Sequence, residues 1–233
     1  EAIAVIERAA ADKDAPLWRI GRDFDYTRQG YAEGWQRFNV RTPLREYQDL
    51  MIPMAGAFQV ENAATAVAAL DLLETRGQGI EEAALRQGLA EVHMPGRMEM
   101  LRKKPRFLID GAHNAASAQA LAQALRELYG ERRIILILGV STDHSVADVV
   151  GALAPLADHI IVTAADNPRA QDAAVIAQEA MRYTTSVETV ESVSKAVKQA
   201  LALARPEDVI CATGSFFLIG EIDREQVALP VVK

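Results

Sequence analysis

The stretch from Phe107 to Ser117, "FLIDGAHNAAS", sets an acid, an imidazole and an amide, Asp110, His113 and Asn114, where an apolar run passes into an alanine-rich helical pattern. At the carboxyl end of a strand in an open α/β sheet, such groups face bound ligands. A carboxylate there accepts hydrogen bonds from ribose hydroxyls, an imidazole donates to phosphate or carboxylate oxygens, and Asn114 or Ser117 caps the helix. The same residues also allow a plainer arrangement, in which Asn114 caps, Asp110 pairs locally and His113 is simply exposed.

Three further groups pose similar choices. Arg97, after Pro95 and Gly96, is either a guanidinium fork that clamps a phosphate or a surface arginine on a linker. Asn62, in "AFQVENAATAVAAL", is either a helix N-cap or an amide that reads the edge of a base. Thr213, Gly214 and Ser215 close a buried strand in "ATGSFFLIGE", where hydroxyls could hold a substrate carboxylate or merely form a turn. Asp143 and His144 in "STDHS", and Arg169 in "DNPRA", follow strands in the same way.

Other chemistries lose support. The chain lacks the three spaced glycines of a dinucleotide fingerprint and the G-x-x-x-x-G-K-[ST] loop that cradles phosphates. Its four histidines, at 93, 113, 144 and 159, show no H-x-x-x-H spacing, so no metal site is expected within it. No G-x-S-x-G elbow is present, and Cys211 sits in the apolar run "DVICATGS", which argues against a covalent hydrolase and against disulfides. A net charge of -7 gives no basis for broad nucleic-acid or anionic-membrane binding. No apolar run approaches the roughly 20 residues of a membrane span. A reducing, cytoplasmic setting is expected from the single cysteine. The opening "EAIAVIERAAADKD" has no initiator Met, and a mature or excised part of a longer protein is expected.

The elements that must position these groups follow from periodicity. From residue 106 onward, the runs "RFLID", "RRIILILGV", "HIIVTAAD", "TSVETV" and "DVICATGS" alternate with one-sided helical stripes, the first from about Ala116 to Tyr129 and the second from about Val146 to Leu156. Runs apolar on successive residues need burial on both faces, which predicts a Rossmann-like, mostly parallel sheet with helices on both sides. Residues 1 to 93 read differently: an amphipathic opening helix, short strands in "PLWRIGRDF", "GWQRFNV" and "REYQDLMIPM", then two helices separated near Gly77 and Gly79. The segment "HMPGRMEML" is the expected joint, giving domains at 1–93 and 94–233.

Taken in order, "FQVENAATAVAAL", "MPGRMEML", "FLIDGAHN", "TDHS", "DNPRA" and "ATGSFFLIGE" resemble the folylpolyglutamate synthase/dihydrofolate synthase family of Mur ligases across essentially the whole chain. The pair formed by Pro95-Gly96-Arg97 and Asp110-Gly111-Ala112-His113-Asn114 is the most specific part. The resemblance implies that residues 1–93 end a central ATPase domain and that 94–233 form the glutamate ligase domain. It implies an ATP-dependent ligase, working with Mg2+, that phosphorylates a folate or dihydropteroate carboxylate to an acyl phosphate, which the amino group of L-glutamate attacks. By the same resemblance, Asn62 contacts adenine, Arg97 the phosphates and Asp110 the ribose. His113 lies by the nucleotide and the incoming glutamate, and Ser215 and His144 serve the amino acid. The P-loop, magnesium ligands, folate loop and modified lysine fall before residue 1, so this stretch is expected to be inactive alone, and the full-length protein a monomer. Two departures stand out: Phe58 precedes Gln59 where the family commonly has His, and Asp143-His144-Ser145 replace Asp-Lys-Asp. Another Mur ligase of cell-wall synthesis, or a non-catalytic nucleotide-binding module, are the alternatives.

Overall fold

A computed structural model describes residues 2–228. The chain forms two compact units, Glu1–His93 and Met94–Lys233.

The first unit contains α1 (Ala2–Asp12), β1 (Asp25–Ala32), β2 (Trp35–Arg41), β3 (Glu46–Ile52), α2 (Ala57–Glu74) and α3 (Glu82–Glu91). The strands form an antiparallel sheet in the order β1-β2-β3. In β2 the period of two buries Gln36, Phe38 and Val40 on one face. A register shift opposite Asn39 pairs Phe38 with Leu50 and Val40 with Tyr47, so β3 residues three apart both point inward. Val60, Ala63, Ala64 and Val67 of α2 complete this core. Asp71 is buried within the unit because Tyr47 and Thr42 both donate hydroxyl hydrogen bonds to its carboxylate.

Two expectations are corrected here. "PLWRIGRDF" is not a strand: Gly21 turns in a left-handed conformation, and pairing begins at Asp25. Asn62 is not an N-cap, because α2 starts at Ala57 after Gly56 and carries Asn62 on its exposed face.

The second unit runs β4 (Glu99–Lys103), β5 (Arg106–Ile109), α4 (Ala115–Tyr129), β6 (Ile134–Leu138), α5 (Val146–Leu153) with a 3-10 turn at Ala154–Leu156, β7 (His159–Val162), α6 (Ala173–Ala180), β8 (Val187–Thr189), α7 (Val193–Leu203), β9 (Val209–Thr213), α8 (Phe216–Gly220) and α9 (Arg224–Ala228). Its sheet has the order β4-β5-β9-β6-β7-β8 and is parallel except for β4. Every residue of β6 and β9 is buried, as continuous apolar runs require. Phe107, Ile109, Ile135, Ile137, Ile210 and Ala212 form one core face with Val197 and Ala200 of α7, Leu218 of α8 and Val227 of α9. The alternate residues, Leu108, Leu136 and Cys211, therefore face the opposite layer, where α4 packs on α5 and α5 on α6. β4 begins within the segment expected to be only a joint, and pairs antiparallel to β5 at the sheet edge.

In this second unit α4, α5, α6 and α7 each start on a side-chain cap. Asn114 and Ser117 make a reciprocal capping box on α4, and Ser145, Asp172 and Ser192 accept from the first-turn amides of α5, α6 and α7. Each cap contributes about 1 kcal/mol. Among the described residues, no helix is long and apolar enough to cross a membrane.

Candidate functional site: the carboxyl edge around β9

The chain advances from β5 through β6 and β7 to β8, then returns by α7 to place β9 between β5 and β6. The loops leaving β5 and β6 lead to helices of one layer, and the loop leaving β9 leads to α8 in the other. Diverging loops at a reversal of strand order leave a crevice, which is where such sheets bind ligands.

Asp110 ends β5 and is 3 % exposed. The amides of Ala112 and Met98 donate to its two carboxylate oxygens at 2.8 and 2.9 Å, so one side chain ties the loop after β5 to the turn that carries Arg97. Burial raises the pKa of this carboxyl; the two amide hydrogen bonds and the nearby charges of Arg97 and His113 oppose that shift. The Gly111 amide donates to the Gly96 carbonyl at 2.8 Å and strengthens the same tie.

His113 is half-buried and its Nδ1 lies 2.7 Å from the Gly111 carbonyl. A carbonyl only accepts, so Nδ1 carries a proton and Nε2 is the nitrogen offered to a ligand. The His113 and His144 rings lie 4.7 Å apart, tilted by 50°. On the other side, the Phe216 ring lies 5.7 Å from His113, and the Arg97 guanidinium carbon sits 4.8 Å over the Phe216 ring. Arg97, Phe216, His113 and His144 thus form one strip across the loops before β4 and after β9, β5 and β6. Arg169 approaches Asp143 at 3.6 Å and lies over Phe217 at 4.7 Å.

The hydroxyls behave differently. Ser215 is 4 % exposed, caps α8 by accepting from the Phe217 amide, and meets the Ser141 hydroxyl at 3.2 Å. Thr213 is fully buried and donates to the Ala112 carbonyl at 3.4 Å, so it serves the backbone and does not face a ligand. Asn62 lies in the first unit and accepts no cap; its amide donates to Gln59 at 3.1 Å. Cys211 is fully buried and unpaired, and burial pushes its thiol well up. Among the described residues, no group of three His, Cys, Asp or Glu side chains converges to hold a metal ion.

Sequence reasoning missed Phe216 and Ser141. The signal for Phe216 was two adjacent aromatics directly after a strand-ending Gly-Ser, where a turn needs none. The sequence carried no signal for Ser141.

Fold and site together define an α/β unit with a guanidinium and two imidazoles gathered at its switch point, groups that can take part in binding an anionic ligand. The family described as "Mur ligase, glutamate ligase domain" matches residues 96–216, more than half of the chain, and the chain belongs to the Mur ligases through this domain. Among curated relatives, the dihydrofolate synthase/folylpolyglutamate synthase of Mycobacterium tuberculosis is 34% identical over 194 residues, 82% of this chain and 40% of the relative. The solved structure of Mycobacterium tuberculosis folylpolyglutamate synthase complexed with ADP aligns with a TM-score of 0.85 at 30% identity, covering 94% of this chain and 51% of that one. An Escherichia coli structure, described as FolC in complex with DHPP and ADP, gives 0.81 at 26% identity, covering 93% and 49%. The chain thus spans about half the length of these relatives, or less.

Proposed function

We propose that this chain supplies the glutamate-ligase portion of an ATP-dependent enzyme that joins L-glutamate to a folate, as a folylpolyglutamate synthase, with dihydropteroate as a second acceptor. The observation that carries the reading is the gathering of Arg97, His113 and His144 at the carboxyl edge around β9, in a unit that belongs to the Mur ligases.

The chemistry follows from those groups. A folate carboxylate attacks the γ-phosphorus of ATP, giving an acyl phosphate and ADP; the glutamate amine then attacks the acyl carbon, phosphate leaves, and an amide forms. Arg97 offers a planar set of donors to the transferring phosphoryl oxygens, where charge builds up. Asp110 spends about half of its acceptor capacity on two backbone amides, one to each oxygen, so its contact with ribose would use the remaining lone pairs. His113, with Nε2 available, stands between phosphate and incoming glutamate, and His144 beside it receives the amino-acid carboxylate. Ser215 shapes this end of the site through the α8 cap and its hydroxyl pair with Ser141. Asn62, exposed on α2, is assigned to adenine. Magnesium bound with ATP would neutralise phosphate charge, with ligands outside these residues. The reaction is placed in the cytoplasm, consistent with a lone buried thiol.

The test is ADP formation by the full-length gene product, dependent on both L-glutamate and either dihydropteroate or tetrahydrofolate. Arg97→Ala is expected to lower kcat/KM by about 100-fold or more, the usual cost of losing one preorganised charge-stabilising group. Turnover of a UDP-muramoyl substrate with no turnover of either pterin would replace this reading with a cell-wall ligase. Residues 1–233 alone are expected to show background activity only, since they carry no P-loop.

A further inference from the structure

Phe216 is 43 % exposed, yet its ring is held on several sides. Arg97 lies over it, His113 tilts against it at 52°, and the bare α-carbon of Gly111 lies beneath it, so close that a β-carbon there would enter the ring. Ser215 fixes where the ring begins, because its hydroxyl caps α8 at the preceding position. Among the described residues, the Arg97 guanidinium makes no hydrogen bond to protein; the ring is what it rests on.

That choice of support has a chemical consequence. A carboxylate partner would fix the guanidinium but consume its donors and neutralise its charge. An aromatic face attracts the cation through its quadrupole and leaves the N–H groups at the rim unspent. The ordering of a long, rotamer-rich side chain is then completed before the ligand arrives, which lowers the cost of binding.

We propose that Phe216 is a positioning residue that presets Arg97 for an oligophosphate while leaving its N–H donors unspent. This rests on reading Arg97 as the phosphate ligand. Gly111 is part of the device, since only a residue without a β-carbon lets the ring come this close to the loop after β5.

The experiment compares Phe216→Leu and Phe216→Tyr in the full-length gene product, with ATP and adenosine as probes and the Arg97 side-chain N–H resonance as a direct monitor of order. Leucine keeps apolar bulk but no π face, and tyrosine keeps both. Phe216→Leu is expected to leave Tm unchanged, free the Arg97 side chain and weaken ATP by about threefold, the scale of an exposed cation–π contact. Adenosine binding is expected to hold, and Phe216→Tyr to restore both Arg97 order and ATP affinity. Wild-type Arg97 order in the leucine variant would overturn the proposal, as would equal losses in the leucine and tyrosine variants. Unchanged ATP affinity in Arg97→Ala would instead overturn the phosphate reading, and Arg97 order in the leucine variant would still decide the role of Phe216.

Discussion

Asp110 turns its charge inward. Its carboxylate holds the Met98 and Ala112 amides, and burial raises its pKa above the ordinary 3.8. The folded state therefore binds this proton more tightly than the unfolded chain does. The resulting stability is complete below 3.8 and is lost as pH rises through the raised value. The stability of wild type relative to Asp110→Asn is expected to be greatest in acid and to fall across that window. Urea titrations at a series of pH values check this, and a difference that rises with pH would reverse the assignment. At this scale, Asp110 and His113 were legible as candidates because they follow an apolar run, and Arg97 because it follows a Pro-Gly pair, although Asp110 also has a structural task in holding two backbone amides. Phe216 was not, since an aromatic after a buried strand reads as core until its ring is seen under a guanidinium. Asn62 misled because Phe58 and Val60 hide the first turn of α2, so the helix seemed to begin where its polar residues do.

The elements around β9 differ in what they tolerate. Gly214 has φ near +101°, and a β-carbon on it would stand 2.5 Å from the Gly139 carbonyl oxygen, a backbone atom that cannot swing away. Gly214→Ala is expected to cost at least about 2 kcal/mol, measured as a shifted urea midpoint at constant m-value. The parallel strands were legible because "IILIL" is apolar at every position and "VICAT" at all but its last, a pattern that fits a sheet covered on both faces. β4 escaped notice because "EMLRK" mixes charge and bulk, which is all that a strand at a sheet edge requires. β1 was displaced for a related reason. "DYTRQGYA" has no apolar alternation, and its strand character comes from pairing with β2.

Each of the two units has a core of its own, one built on Phe38, Tyr47 and Val67 and the other on Phe107, Ile137 and Ile210. Residues 94–233 expressed alone are therefore expected to unfold in one cooperative urea transition, with coincident fluorescence and circular dichroism curves. Separate curves would mean that this unit depends on the rest of the chain. The place of β9 adds a consequence for synthesis. Among the described strands it is the last in chain order and so leaves the ribosome after β5 and β6, yet it sits between them. Until Val209 to Thr213 emerge, those two strands have no partner on their facing sides, and the nascent chain carries a slot with two unpaired edges. A message truncated before the codon for Val209 would yield a chain with that slot permanently open. Such a product is a ready template for foreign strands, so insertion of β9 is the step that protects the interior of this sheet from unwanted pairing.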